Sequence, residues 1–281
     1  MLLFWKKYDY NDQMAKFKSL LLCPPSFYDI RYEINPWMNT DNPIDKAKAH
    51  EQYETLKYAY DALNVTYHEL SPNNHFPDQI FTTDTGHIEK NMFIKAQFKY
   101  KERRGEVTVV EEFLKTHGTY QTIELPEGIY FEGGDLIKFE DIYFFGWGKR
   151  SSKEALPFLK KHLDAEIVGI ELIDDWYYHL DTCLAPINKK VALANLEAFS
   201  PVSVTEIKKY FGQIIQTSEA DNKMFACNMV TIDGKAILTQ GISDELKDQL
   251  RPHVDLISTV AMSEYIKGGG SVHCASLEIF D

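Results

Sequence analysis

Short strands alternate with helices along the whole of this 281-residue chain, and this alternation limits the possible folds more than any other feature. The predicted helices span residues 43–63, 109–116, 152–163, 202–211 and 243–253. The predicted strands span residues 19–22, 65–70, 80–83, 119–124, 128–131, 136–139, 166–171 and 254–258. A helix that recurs between strands, without a dinucleotide-type glycine fingerprint, predicts an α/β fold. Because no Pro- or Ser-rich linker divides the chain, we expect a single domain over residues 1–281.

The net charge of the chain limits the classes of partner that it can bind. The formal net charge is -12, whereas binding to nucleic acid or to anionic lipid requires clustered Lys and Arg. We therefore expect neither nucleic acid nor a membrane as a partner. A small cationic ligand is better suited to the negative electrostatic potential of this protein. The first twelve residues lack the apolar core and cleavage site of a signal peptide, and no apolar run could span a bilayer. These patterns predict a soluble protein and leave open a monomer or a homo-oligomer.

The four cysteines are the next constraint. They lie far apart and form no Cys-x-x-Cys pair, so they indicate neither zinc nor redox chemistry. We interpret them as reduced thiols in the cytoplasm, and burial as small hydrophobic residues is the ordinary role for most of them. Cys274 differs because Gly268, Gly269 and Gly270 precede it closely. Glycines let the backbone and a substrate approach closely, although a flexible turn with a buried cysteine would have the same sequence.

Three further motifs carry titratable side chains. His179 and Asp181 are two apart, so a strand would project both on one face. Glu132 and Asp135 flank a double glycine, and Asp84 follows the predicted strand 80–83. Each motif alone could be a surface pair or a plain turn. Together they suit one ligand, because a planar guanidinium can be held by several carboxylates while a thiolate approaches its central carbon.

In these motifs the chain resembles the guanidine-modifying superfamily. The resemblance covers nearly the whole chain and rests on motifs in matching order, namely Phe131-Glu132-Gly133-Gly134-Asp135, His179-Leu180-Asp181-Thr182 and Gly268-Gly269-Gly270 leading to Cys274. It is closest to the arginine dihydrolase domain, through Cys23-Pro24-Pro25, Ile34-Asn35-Pro36-Trp37-Met38, Tyr178 to Cys183 and Phe225-Ala226-Cys227-Asn228. The resemblance implies the pentein fold, a five-bladed α/β propeller of repeated ββαβ units. Arginine deiminases and dimethylarginine dimethylaminohydrolases are also similar.

The resemblance also implies roles for individual residues. Cys274 would be the nucleophile, His179 the acid and then the base, and Glu132 a guanidinium ligand beside His179. The expected substrate ligands are Asp84, Asp181, Asp135, Arg150, Arg104 and Asn35, with Arg103 as an alternative to Arg104. Asn35 belongs to a loop that would cover the substrate. The mechanism needs no metal and no organic cofactor.

Two positions depart from the dihydrolase pattern, and they bear on the reaction. That pattern has Asn where this chain has Asp84, and it lacks His273. An anionic Asp84 favours a cationic guanidinium over a neutral ureido group, so we expect one hydrolysis, from L-arginine to citrulline and ammonia. The resemblance to deiminases and dihydrolases also implies that Asp181 favours an unmethylated guanidinium. Arginine dihydrolase, dimethylarginine dimethylaminohydrolase and amidinotransferase activities remain alternatives, and so does a non-catalytic module that senses arginine.

Overall fold

A computed structural model describes residues 17–281. Its helices are α1 (Lys46–Ala62), α2 (Glu106–His117), α3 (Ala155–Leu163), α4 (Pro201–Tyr210), α5 (Glu219–Lys223), α6 (Asp244–Leu250) and α7 (Ser263–Ile266). Its strands are β1 (Phe17–Leu22), β2 (Tyr67–Glu69), β3 (Gly86–Glu89), β4 (Met92–Lys95), β5 (Gln121–Ile123), β6 (Leu136–Phe139), β7 (Ile142–Trp147), β8 (Glu166–Glu171), β9 (Leu184–Asn188), β10 (Val191–Ala194), β11 (Gln213–Gln216), β12 (Val230–Ile232), β13 (Lys235–Thr239), β14 (Leu256–Val260) and β15 (Leu277–Phe280). The chain thus has a mixed α/β fold, as the alternation predicted.

One pattern of strand pairing recurs. In each unit the first strand pairs antiparallel with the second, and the second pairs parallel with the third after a helical crossover. The units are β3-β4-β5, β6-β7-β8, β9-β10-β11, β12-β13-β14 and β15-β1-β2. The last unit combines a strand from each end of the described chain. Because β15 also pairs with β3, that unit and the first form one six-stranded sheet.

Local sequence explains where the crossover helices begin. The side chain of Asp45 accepts a hydrogen bond from the Lys48 backbone N–H at 3.0 Å and caps α1. Ser200 caps α4 in the same way, and Pro201 occupies the first helical position, where a missing N–H costs nothing. The strands contribute the buried side of each unit. All four residues of β10, for example, are buried, so this strand lies inside the protein with both of its faces covered.

Several predicted elements agree with the structure, and others do not. Strand β8 has the predicted bounds, and α1, α3, α4 and β14 overlap their predicted ranges. The predicted strand 80–83 is wrong, because residues 77–80 and 82–85 form two single turns of 3₁₀ helix. The predicted strand 128–131 is also wrong, since only Phe131 pairs, in an isolated bridge with Gln97. A short apolar run does not distinguish a strand from a buried turn.

The first strands of the five units share another feature, the turn that precedes each of them. Asp84 lies in the turn before β3. Asp135 lies in the turn before β6, and Glu132 immediately precedes that turn. Asp181 lies in the turn before β9, and Cys274 in the turn before β15. Since the turns occupy equivalent places in equivalent units, the fold brings residues far apart in sequence to one location.

Candidate active site

Cys274 is held by two neighbouring turns. The backbone N–H of Cys274 donates to Asn228 Oδ1 at 3.1 Å, and Asn228 Nδ2 lies 3.0 Å from the sulfur. The thiol itself donates to Asp181 Oδ2 at 3.3 Å. Cys274 is almost completely buried. Burial, together with the charges of Asp181 and Asp84, raises the pKa of the thiol well above its usual value. The resting group is therefore a thiol, and a thiolate requires added positive charge.

His179 lies between two carboxylates. Its Nε2 is 2.8 Å from Glu132 Oε2, and its Nδ1 is 3.2 Å from Asp84 Oδ1. Burial opposes the charged imidazole, but Asp84 and Glu132 outweigh burial and raise the pKa of His179 well above its ordinary value. Conversely, burial opposes ionisation of Glu132, but Arg150 and His179 lower its pKa to about 2. His179 is thus an imidazolium with a proton on each nitrogen, a form able to act as an acid.

His179 and Asp181 do not occupy a strand, so the same-face projection that a strand would give them does not apply. The backbone of His179 is extended, and residues 180–182 form a turn of 3₁₀ helix. Both side chains nevertheless project toward Gly134. A methyl group placed on Gly134 would lie 2.7 Å from Asp84 Oδ1, 3.0 Å from His179 Nδ1 and 3.2 Å from Asp181 Oδ1. This glycine therefore leaves open the point where the three functional groups meet.

One buried carboxylate oxygen at this point lacks a hydrogen-bond donor. Asp181 Oδ1 accepts no hydrogen bond from residues 17–281, whereas Asp84 Oδ1 pairs with His179 Nδ1 at 3.2 Å. Burial opposes ionisation of Asp84, but His179 and Arg103 keep its pKa well below the usual value. A buried acceptor without a partner costs free energy, roughly 1–3 kcal/mol. The site therefore favours a ligand that brings N–H donors.

Arginine side chains border the site on one side. Arg150 is buried, donates to Glu132 Oε2 at 3.0 Å, and lies 4.3 Å from the ring centroid of Tyr178. Arg103 is also buried, and its Nη1 donates to Asp84 Oδ2 at 2.5 Å. Arg104 is exposed instead, and it donates to the backbone carbonyls of residues 98 and 99. The structure thus corrects the prediction for Arg104, because Arg103 is the member of the pair that reaches the site.

Asp135 differs from its predicted role as a substrate ligand. Its Oδ1 accepts the backbone N–H of Leu180 at 3.0 Å, and its Oδ2 accepts that of Ser151 at 3.2 Å. Both oxygens are therefore occupied. Burial raises the pKa of this carboxyl to about 7. Asp135 lies beneath the site, where it joins the His179 turn to the segment that carries Arg150.

Asn35 lies in the loop between β1 and α1. Its side-chain amide donates to the Gly268 carbonyl at 3.0 Å and to the Tyr178 hydroxyl at 3.1 Å. Its oxygen accepts from the backbone N–H groups of Trp37 and Met38. The loop is thereby tied to the glycine-rich segment before Cys274 and to the residue before His179.

Sequence reasoning missed Asp78 and Asn228 as functional candidates. Asp78 is buried, and neither of its carboxylate oxygens accepts a hydrogen bond from residues 17–281. Burial raises its pKa, although Arg103 acts in the opposite direction. Asn228 belongs to the turn before β12, so it completes the set of five equivalent turns. The recurrence of a polar residue just before each first strand was the signal that could have identified it.

The described part of the chain contains neither a metal-binding cluster nor a membrane span. No group of three or more His, Cys, Asp or Glu side chains within residues 17–281 is arranged to hold a metal ion. None of the seven helices in this range is long and apolar enough to cross a bilayer.

Known proteins are similar to this chain in sequence and in fold. Residues 32–281 match the family model described as N,N dimethylarginine dimethylhydrolase, eukaryotic. The N(G),N(G)-dimethylarginine dimethylaminohydrolase of Mycobacterium tuberculosis is 31% identical over 92% of this chain and 84% of its own length.

Two solved structures are also similar. The first is the bifunctional arginine dihydrolase/ornithine cyclodeaminase AgrE of Nostoc, as a cysteine-to-alanine variant with L-arginine. It is 30% identical, with a TM-score of 0.90 over 95% of this chain and 40% of AgrE. The second is the N-terminal domain of ArgZ from Synechocystis, covalently bound to a reaction intermediate. It is 30% identical, with a TM-score of 0.88 over 94% of this chain and 98% of that domain.

These matches confirm the resemblance predicted from the motifs. The match to the family model includes both the loop that contains Asn35 and the turn that contains Cys274. The chain therefore belongs to the N,N-dimethylarginine dimethylhydrolase family and is a hydrolase of the C–N bonds of linear amidines.

Proposed function

We propose that this protein hydrolyses the guanidinium group of free L-arginine through a covalent S-alkylthiouronium on Cys274, giving citrulline and ammonia. The observation that carries the proposal is the convergence of two buried carboxylates, Asp84 and Asp181, with His179 over Gly134, where Asp181 Oδ1 has no hydrogen-bond donor among residues 17–281. A guanidinium offers several N–H donors in one plane and carries the positive charge that the thiol of Cys274 requires.

The other end of the substrate has ligands of its own. The two unpartnered oxygens of Asp78 suit a cationic α-amino group. Arg150 suits the α-carboxylate, because it is buried and a guanidinium binds a carboxylate with two parallel hydrogen bonds. Asn35 and its loop would cover this end. A free amino acid therefore fits better than an arginine within a peptide, which lacks both terminal charges.

The chemistry balances with one cysteine and one histidine. Cys274 loses its thiol proton, and its sulfur bonds to the guanidinium carbon. The terminal C–N bond then breaks, and His179 gives a proton to the departing nitrogen, which leaves as ammonia. His179 next takes a proton from water, and the oxygen bonds to the thiouronium carbon. The C–S bond breaks, the remaining hydroxyl proton returns to sulfur, and citrulline leaves. In total, arginine and water become citrulline, ammonia and one proton.

Asp181 supports arginine over dimethylarginine. A dimethylated nitrogen carries no N–H and would leave a buried carboxylate oxygen unpaired. Asp84 supports one round of hydrolysis rather than two, because a carboxylate favours the cationic guanidinium over neutral citrulline. Arginine dihydrolase activity is the second candidate, and it is favoured by the similarity to AgrE in complex with L-arginine.

Mass spectrometry of products tests the proposal. The purified protein is incubated separately with L-arginine, asymmetric dimethylarginine and citrulline, with Cys274→Ala as the inactive control. We expect citrulline and ammonia from L-arginine alone. Ornithine from arginine or from citrulline would establish the dihydrolase, and dimethylamine from dimethylarginine would establish the methylarginine hydrolase. An ornithine product that requires an added amine would establish amidinotransfer, and saturable binding of arginine without any product would establish a sensor.

We further infer that the five units close into a five-bladed propeller around this site. The equivalent strand pairing of the units and the common origin of the site residues in the preceding turns support this arrangement. An experimental structure in which the five first strands do not surround a common axis would contradict it.

A further inference from the structure

The two carboxylate oxygens of Asp181 have different surroundings. Oδ2 accepts two hydrogen bonds, from His273 Nδ1 at 2.9 Å and from the thiol of Cys274 at 3.3 Å. Oδ1 accepts none from residues 17–281, and it lies 3.2 Å from the position that a methyl group on Gly134 would occupy. Since both donors contact Oδ2, they orient the carboxylate with Oδ1 toward the point where the substrate would bind.

The backbone of His273 is anchored to turns of two other units. Its N–H donates to the Asn228 carbonyl at 3.2 Å, and its carbonyl accepts the hydroxyl of Thr83 at 2.6 Å. Thr83 precedes Asp84 in the turn before β3, and Asn228 lies in the turn before β12. The imidazole is therefore attached to a fixed part of the site, and its Nδ1 donor has a defined position.

Asp181 needs a fixed donor because there is open space beside it. Asp181 and His273 line a cavity of about 50 Å³, together with Lys138 and Glu278. A carboxylate next to a cavity has room to rotate, and rotation would turn Oδ1 away from the substrate. The thiol of Cys274 cannot prevent this throughout the proposed reaction, because it loses its proton when the sulfur attacks. His273 is then the remaining donor to Oδ2 among residues 17–281.

The charge on His273 strengthens this contact. Burial opposes the imidazolium, but Asp181, Glu278 and Asp84 outweigh burial and raise the pKa of His273. A hydrogen bond between charged groups is stronger than one between neutral groups, so an imidazolium holds the Asp181 carboxylate more firmly than a neutral ring would. Because Nδ1 carries the proton of this bond, His273 is the donor in the pair.

We propose that His273 is a positioning residue that holds Asp181 Oδ1 toward the substrate and thereby sets the preference for an unmethylated guanidinium. This inference rests on the proposed hydrolysis of arginine. Asp181 Oδ1 accepts an N–H of the guanidinium, whereas a dimethylated nitrogen has no N–H and leaves this buried oxygen unpaired. His273 acts through Asp181 and does not contact the substrate.

Binding measurements in Cys274→Ala test this role without turnover. This parent variant lacks the thiol donor, so Asp181 Oδ2 depends on His273. In the parent, His273→Asn places an amide N–H near the position of Nδ1, His273→Gln places it near Nε2, and His273→Ala removes it. His50→Asn, on the exposed face of α1, is the control.

Calorimetry gives Kd for L-arginine and for asymmetric dimethylarginine in each protein. We expect His273→Gln and His273→Ala to bind arginine about tenfold more weakly than the parent, because the charged acceptor for the substrate is no longer oriented. Binding of dimethylarginine should weaken less, so the ratio of the two Kd values should move toward one. His273→Asn and His50→Asn should both keep the ratio of the parent.

Thermal unfolding identifies any variant that does not fold, and the comparison of His273→Asn with His273→Gln remains decisive if His273→Ala is lost. Equal ratios in these two variants would overturn the inference, because the position of the donor would then have no effect. An equal loss of affinity for both ligands in His273→Gln would overturn it too, since that is general damage to the pocket. So would a parent that binds both ligands equally, because it has no preference to set. If the parent binds no arginine, the proposed substrate itself is wrong.

Discussion

At the scale of single residues, charge in the site decides which substrate reacts. Asp84 is buried and ionised, and its two oxygens pair with Arg103 and His179. Replacement of one partner in a buried charge pair costs about 2 kcal/mol or more, which is roughly 30-fold in an equilibrium or rate. Asp84→Asn should therefore lower kcat/KM for arginine by about that factor or more.

The same variant should react better with citrulline relative to arginine, because an amide can donate to a ureido oxygen. Steady-state kinetics with both substrates measures the change, and Asp41→Asn, on an exposed loop, serves as the control. An unchanged preference for arginine would show that Asp84 does not discriminate between a cationic and a neutral substrate.

A second prediction at this scale concerns pH. The folded pKa of His179 lies well above the unfolded value of about 6.5 because of Asp84 and Glu132, although burial opposes the charge. Its contribution to stability is therefore fully present below about pH 6.5 and is lost as pH rises through the folded pKa. Activity that depends on the imidazolium should fall over the same alkaline range.

Asp84→Asn should move that range to lower pH, since Asp84 is the first of the groups that favour the imidazolium. NMR titration of the His179 ring in Cys274→Ala, with and without Asp84→Asn, measures the shift. His179→Gln identifies the signal. An identical titration in the two proteins would contradict the ion pair.

The sequence predicted most of the residues that the structure brings together in the site. It could not predict which of two adjacent side chains points into the site. Cys274, His179, Glu132, Asp84 and Asp181 were all predicted, and the structure brings them together. The sequence could not decide between Arg103 and Arg104, because both lie in one polar turn. In the structure, Arg103 is the one that packs against the Phe98 ring and donates to Asp84. Asp78 has no nearby motif, and its role follows only from its burial without a partner.

At the scale of elements, the loop between β1 and α1 depends on one amide. The side chain of Asn35 makes four hydrogen bonds, two to groups near the site and two within the loop. Each is worth about 1 kcal/mol, so Asn35→Ala should loosen this loop. We expect a KM for arginine about tenfold higher and faster proteolysis within residues 31–42, with little change in kcat.

Asn39→Ala is a matched control, because Asn39 lies in the same loop but its side chain accepts its hydrogen bond from within the loop, from the backbone N–H of Asp41. Limited proteolysis with and without arginine, together with steady-state kinetics, distinguishes the two variants. Equal effects from both would mean that the loop does not act through Asn35.

Elements differed in how well sequence predicted them, for physical reasons. Helix α1 has a capping Asp and regular apolar spacing, which local rules detect. Strand β10, with four buried residues, shows no alternation and was missed. The turns before the first strands contain buried apolar residues, such as Ile80 and Phe81, because they pack in the centre of the molecule. Their apolar sequence is therefore like that of a short buried strand.

At the scale of the whole molecule, the site depends on every unit. Asp84, Glu132, His179, Asn228 and Cys274 precede the first strands of five different units, and β1 and β15 unite the two ends of the described chain. A ligand that contacts these turns links all five units, so its binding should be visible in global unfolding. Binding to the native state stabilises a protein by RT ln(1 + [L]/Kd), which is about 2.7 kcal/mol at a hundredfold excess over Kd.

For a chain of this size, that stabilisation should raise Tm by roughly 5 °C. Cys274→Ala prevents turnover, so it is the protein in which L-arginine should produce this shift at saturation. Addition of Asp78→Asn should remove most of the shift if Asp78 binds the α-amino group, whereas Asp41→Asn should preserve it. Agmatine, which lacks the carboxylate, should stabilise Cys274→Ala less than arginine does, because Arg150 would then lack its partner. Equal shifts with arginine and agmatine would place the amino-acid end of the substrate outside the pocket formed by Asp78 and Arg150.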